Sequence, residues 1–247
     1  MTFEIVLFLA LGAAAGGFIN GLSGTGTALF ALGFYLVVLD AVTSVAIVAF
    51  MSVLAGLQGL WVVRHQITAN PGSLLRFLVP GLLGVPIGLT LLAIIDVVTL
   101  RLAIASFLII YGAYFGFRAS LPSFTKVTPW IDSLVGFVGG ILGGTASVSG
   151  AIPSMWLSLR PWTKSETRAV LQPFNVAILG TTVFLLFLKG AYGSTALQAL
   201  MITVPIGLIA AQVGIAVFKR LSDTAFRRML IILTLLMGLG MMVSEIT

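Results

Sequence analysis

Apolar residues fall in long unbroken runs, and glycine, proline or short polar clusters punctuate them. Six runs have the length of a single membrane span. They cover Ala41–Val63, Ser73–Ile95, Val97–Phe117, Glu166–Leu188, Ser194–Phe218 and Asp223–Ser244. About 20 apolar residues as helix cross roughly 30 Å of hydrocarbon. Membrane β-strands would alternate polarity over ~10-residue stretches. Leu74–Ile95 and Met229–Val243 do not alternate, so helices are predicted throughout.

Two further runs, Phe3–Leu39 and Trp130–Leu159, are too long for one span and carry glycine-rich centres. The first centre reads Gly17-Phe-Ile-Asn-Gly21-Leu-Ser-Gly24-Thr-Gly-Thr27. The second reads Gly136-Phe-Val-Gly-Gly140-Ile-Leu-Gly143-Gly-Thr-Ala-Ser-Val-Ser-Gly150. Both open Gly-Phe-x-x-Gly-x-x-Gly, 119 residues apart, and both pass into Ser, Thr and Gly. Irregular backbone survives at membrane depth only when buried in protein or lining a wet cavity. Each run is therefore predicted to be a re-entrant helical hairpin, the first turning at Ser23–Gly26.

The repeat extends beyond the hairpins. Arg64 matches Lys189 and Pro80 matches Pro205, at an offset of 125, and Arg101 matches Arg227 at 126. Residues 121–129, with two prolines, read as a linker. The expected organisation is a first repeat over 1–120 (hairpin 3–39, helices 41–63, 73–95 and 97–117) and a second over 130–247 (hairpin 130–159, helices 166–188, 194–218 and 223–244). Duplicated halves of this kind are typical of secondary transporters.

Composition removes the soluble alternatives. Apolar residues make up 59% and charged residues 8%, with a mean hydropathy of +1.17. Soluble domains carry about 25% charged residues. There is no cysteine and a single histidine, His65, so no disulfide, Cys-zinc, Fe–S or His-rich metal site is expected. No phosphate-binding Gly-x-x-x-x-Gly-Lys-Ser/Thr loop is present. The net charge of +6 fits basic loops gathered on one membrane face rather than nucleic acid. No basic segment precedes the first apolar run, so a cleaved signal is not expected.

The basic residues also bear on topology. If each glycine-rich run crosses once, they divide almost evenly between the two faces. If each returns to its own side, only Arg101 and Lys189 lie opposite all the others. The second arrangement satisfies the positive-inside rule. It implies inverted repeats, periplasmic termini and hairpins entering from opposite faces with their tips meeting.

The paired Gly-Phe-x-x-Gly-x-x-Gly stretches, the Asp40-Ala-Val-Thr-Ser44 helix start and the Arg64-His-Gln-Ile67 helix end resemble the TauE/SafE family of anion-permease-like membrane proteins. The resemblance covers nearly the whole chain. It implies transport of sulfite, sulfoacetate or related sulfonates and organic anions across the bacterial inner membrane. Family members often carry Gly-Gly-Gly where this chain has Gly24-Thr-Gly-Thr27.

An oxyanion in hydrocarbon needs hydrogen-bond donors and positive potential. Helix ends opened by glycine, with nearby hydroxyls, supply both. The substrate-binding candidates are Ser23, Thr25 and Thr27 from the first turn, Thr145, Ser147 and Ser149 from the second, and Gln172 and Asn175 flanking Pro173. Asn20, Gln58 and Gln212 are further polar residues within apolar runs. Arg168 reads either as a solvated loop-side residue or as an anion attractor at the mouth. The bland reading of the glycine stretches is tight helix packing. All seven carboxylates fall at predicted helix ends or loops, and Trp61, Trp130, Trp156 and Trp162 fall near segment ends as an interfacial belt would.

The expected protein is thus an all-α polytopic secondary transporter in the cell inner membrane, not an enzyme. It needs no cofactor or metal, takes a small anionic substrate, sits in lipid, and binds no nucleic acid. Homodimerisation is left open. The alternatives are a membrane structural or assembly subunit, or a permease for a non-sulfur carboxylate.

Overall fold

The computed structural model describes residues 2–69, 71–94, 97–116 and 124–246. The described residues are helical apart from short caps and connections. The helices are α1 (Phe3–Ser23), α2 (Thr27–Val38), α3 (Ala41–Ala69), α4 (Pro71–Ile94), α5 (Val97–Gly116), α6 (Pro129–Ala146), α7 (Ala151–Ser158), α8 (Lys164–Leu188), α9 (Ser194–Arg220) and α10 (Asp223–Ile246). Among the described residues, α1, α3, α4, α8 and α9 are long and apolar enough to cross a membrane. Asn70, Ile95, Asp96, Phe117, Arg118 and linker residues 121–123 lie outside the described residues, as does the side chain of Arg101.

Several helix ends differ from the sequence reading, for local reasons. α3 continues six residues past Val63, so Arg64 and His65 lie on an exposed last turn and a half. There Arg64 donates to Trp61 O at 2.7 Å and its guanidinium stacks on the Trp61 ring. Pro71 and Gly72 open α4 instead of forming a turn ahead of it. Proline suits the first helical position, where its missing N–H costs nothing. α8 begins at Lys164 because Thr163 and Glu166 form a reciprocal capping box.

Both glycine-rich runs are helical hairpins. In the first, Gly16 faces Thr27 and Ala31 while Gly12 faces Tyr35, so α2 returns along α1. In the second, Gly139 packs on Pro153, and Trp156 donates to Asp132 at 2.7 Å. The first turn is made by Gly24 and Gly26, both in the left-handed region at φ 88° and 96°. Glycine adopts this region without strain. The second uses Ser147 at φ 57°.

Most of the repeated glycines do not make the turns. They lie within α1 and α6 and let backbones touch. A Cβ on Gly21 would sit 2.0 Å from Ala211 O, and one on Gly140 would sit 1.9 Å from Gly81 O. Small residues allow such approach where hydrocarbon gives helices no hydrophobic reason to associate. Gly24 ends α1, but its sequence counterpart Gly143 continues as helix, and α6 gains nearly another turn before Ser147.

The order of these contacts sets direction. Gly17 and Gly21 meet Gly207 and Ala211 in turn, so α1 runs parallel to α9. Gly136 and Gly140 meet Phe77 and Gly81, so α6 runs parallel to α4. α3 and α8 cross antiparallel, with Gly56 on Val176 and Gly59 on Gln172. α5 and α10 pair antiparallel, Gly112 lying on Leu235 and Gly238 on Ala105.

Candidate functional site

The two turns meet beside the α3–α8 crossing. A Cβ on Gly150 would fall 1.8 Å from Thr25 Oγ1, so the tips are in direct contact. Asn175 of α8 ties them together. Its Oδ1 accepts from Ser149 Oγ at 2.7 Å and from Thr25 Oγ1 at 3.4 Å. Its Nδ2 donates to Ser52 Oγ of α3 at 3.1 Å. Ser52 and Asn175 each stand eleven residues into their helices, roughly 17 Å from the start at 1.5 Å per residue.

The polar cluster continues into the first hairpin. Asn20 Nδ2 donates to Thr27 Oγ1 at 2.8 Å and to Ser52 Oγ at 3.0 Å. Thr27 and Ser52 hydroxyls are 3.1 Å apart. Gln172 Nε2 reaches Asn20 Oδ1 at 3.5 Å, and Gln172 Oε1 accepts from Arg168 Nε at 3.0 Å. All of these residues are buried. In a low-dielectric interior a connected polar cluster is strong when satisfied and costly when broken.

Arg168 departs from its reading as a solvated residue. It is wholly buried, with 0% of its surface exposed. Gly59 and Gly24 leave the room it occupies: a Cβ at Gly59 would sit 2.8 Å from Arg168 Nη2, and one at Gly24 would sit 3.4 Å from Arg168 Cγ. The guanidinium stacks 4.3 Å from the Phe218 ring centre. Nη1 and Nη2 have no hydrogen-bond partner. No ion pair to Arg168 occurs among the described residues. A buried ion costs several kcal/mol unless it is paired and hydrogen-bonded. A desolvated cation–π contact returns about 2 kcal/mol. The single bond to Gln172 and the Phe218 stack therefore leave this cation short of a counter-charge.

The remaining predicted residues divide. Thr25, Thr27, Ser149, Gln172 and Asn175 belong to the cluster. Ser23 turns back on its own hairpin, its hydroxyl 2.7 Å from Thr25 O. Thr145 donates to Leu142 O, and Ser147 donates to Val45 O at 3.2 Å across to α3. Gln212 is exposed on α9. Ser52 is not legible in sequence, because a lone serine in an apolar helix carries no signal. Asn20, outside the substrate-binding candidates, is the hub of the first hairpin.

A second polar site lies at the base of the other hairpin. Asp132, in the first turn of α6, is buried and accepts from Arg160 Nη2 at 2.8 Å, with Arg76 Nη1 at 3.9 Å. Arg160 also donates to Phe124 O, Lys126 O and Thr128 Oγ1, so it pins residues 124–128 to the hairpin. Trp156, expected in an interfacial belt, instead points its N–H at Asp132, whereas Trp61 and Trp130 are exposed. A cavity of about 170 Å³ opens beside this group, lined by Arg76, Asp132 and Arg160 among others. Cavities of about 230 and 460 Å³ elsewhere have mainly apolar linings.

Among the described residues, ten helices, five of them span-length, with paired glycine-packed hairpins and a buried polar cluster between their tips, define an all-α polytopic membrane protein. The family described as Sulfite exporter TauE/SafE matches residues 8–241, and the chain belongs to that family. Comparison with curated proteins and with solved structures finds no match. Members of this family are membrane transporters, so transport is the activity class of this chain.

Proposed function

We propose that the chain is a secondary transporter moving a small sulfur-containing anion, such as sulfite or a sulfonate, between the two hairpin tips. The carrying observation is the contact of both turns with each other and with Asn175, inside the helical fold. Thr25, Ser149, Asn175 and Gln172 are the substrate-facing polar groups, with Asn20, Thr27 and Ser52 orienting them. Ser23, Thr145 and Ser147 shape the turns by bonding to backbone carbonyls.

The two halves act as inverted repeats in the inner membrane, with both termini periplasmic. Support comes from the exchange of packing partners: α1 runs with α9 as α6 runs with α4, and α3 crosses its counterpart α8. Transport then means rocking one hairpin against the other about their shared contact. An inside-negative potential drives an anion outward by about 2.3 kcal/mol per charge per 100 mV.

Flux of labelled sulfite, sulfoacetate and a carboxylate control into proteoliposomes tests this. Saturable sulfite or sulfoacetate flux above the carboxylate supports it. Flux of the carboxylate alone favours a non-sulfur permease, and no flux of any of the three favours an assembly subunit. A C-terminal reporter found in the cytoplasm overturns the orientation alone.

A further inference from the structure

We infer that Arg168 is the residue that takes the substrate's charge, gripping one oxyanion group through Nη1 and Nη2. This deepens the transport reading and rests on it. Four observations converge on this side chain.

Its charge is buried, and both terminal nitrogens are without partners. Gln172 occupies Nε, which turns the edge bearing Nη1 and Nη2 away from that contact. Two flanking positions are glycines: Gly59 on α3 lies against Nη2 and Gly24 at the first turn lies against the Arg168 stem, so neither puts a side chain there. Finally, Arg168, Gln172 and Asn175 stand at i, i+4 and i+7, so they share one face of α8. That face runs from the helix start to the contact between the turns.

The surrounding charges agree. Lys164 is committed elsewhere, its Nζ donating to Phe218 O, Lys219 O and Leu221 O at the end of α9. Glu166 is held in its capping box, and Asp223 accepts from the Lys164 backbone N–H. No second cation and no carboxylate competes for the guanidinium among the described hydrogen bonds.

The cation is also one-sided. The second turn, through Ser147, rests on Val45 of α3, whereas the first turn lies against Arg168 of α8. One half therefore presents an apolar residue where the other presents a charge. The anion meets its counter-charge on the first-turn side only, at the end of the fold where α9 closes with Lys219 and Arg220.

A planar fork with two free N–H edges matches a group bearing two oxygens, such as sulfonate, hydrogensulfite or carboxylate. A halide offers the fork one acceptor atom instead of two parallel oxygens. A dianion such as sulfate leaves one charge uncompensated in a low-dielectric site.

The test uses the intact protein in proteoliposomes and in detergent, with sulfite, methanesulfonate, chloride and sulfate as probes. Wild type is expected to move sulfite and methanesulfonate in preference to chloride and sulfate, and to be thermally stabilised by the same two anions. Arg168→Lys keeps charge and length but loses the fork. It should raise KM for both anions roughly 10- to 100-fold, with kcat changed far less. Arg168→Gln should lose saturable flux and anion-dependent stabilisation together. Wild-type KM in Arg168→Lys, or in a folded Arg168→Gln, overturns the assignment while leaving transport intact. If wild type moves no anion, the transport reading fails. Anion stabilisation that vanishes in Arg168→Lys then still supports Arg168 as the receptor, and its absence in wild type overturns that too.

Discussion

Gly150→Ala tests directly whether the hairpin tips touch. The backbone there is at φ −90° and ψ −5°, which alanine adopts freely, so any effect comes from the added methyl. That methyl would lie 1.8 Å from Thr25 Oγ1, 2.5 Å from its Cβ and 2.6 Å from its Cγ2, where ordinary contact is 3.4–4 Å. The turns must part by more than an ångström, and the 2.7 Å bond between Ser149 and Asn175 would not survive that. Overpacking costs about 1–3 kcal/mol, and a lost buried hydrogen bond adds about 1 kcal/mol. Gly150→Ala should therefore destabilise by about 2–4 kcal/mol and reduce flux. Thr25→Gly removes all three clashing atoms. The double variant should recover about 1–3 kcal/mol relative to the sum of the single changes, which is the coupling expected of residues in contact. Unfolding in detergent and proteoliposome flux, measured on all four proteins, complete the cycle. A single variant that unfolds like wild type, or strictly additive effects, would refute tip-to-tip contact.

The packing role of the repeated glycines predicts that Gly140→Ala, whose Cβ would meet the Gly81 carbonyl at 1.9 Å, destabilises by about 1–3 kcal/mol in detergent unfolding. Gly180→Ala, which meets nothing within 4 Å, should be neutral or slightly stabilising in the same assay. Asp132→Asn strips the counter-charge from buried Arg160 and should cost about 3 kcal/mol or more, with residues 124–128 becoming more susceptible to limited proteolysis. Asp40, which precedes α3, is held below the ordinary carboxylate range chiefly by the Thr43 backbone N–H. Its stabilising contribution is complete above the unfolded carboxylate value and is lost as pH falls through the lower folded value. Asp40→Asn should flatten that acid limb in pH-dependent unfolding.

Glycine, hydroxyl and amide positions in apolar runs make much of the buried polar cluster legible in sequence, since such residues are expensive in hydrocarbon. Thr25, Ser149, Gln172 and Asn175 all lie in that cluster. Ser147 and Thr145 passed the same filter, yet their hydroxyls satisfy backbone carbonyls instead. A residue's type does not say which way it faces. Sequence leaves Arg168 open between a solvated residue and an anion attractor, because a basic residue four positions into a helix usually reaches water. Here Gly24, Gly59 and Phe218, all distant in sequence, close over it. Asp132 and Arg160 follow the same logic: each lies at a helix end, but the fold buries them as a pair.

What the chain alone determined was its solvent and its segmentation. Hydrophobic runs, proline and glycine punctuation and capping residues act over a few positions, so helices, hairpins and family resemblance could be read locally. What only the tertiary structure decided was which faces meet. The parallel packing of α1 on α9, the α3–α8 crossing and the burial of Arg168 join residues more than a hundred positions apart. Those contacts depend on the close fit of whole helix surfaces, a long-range property that no local stretch of sequence encodes.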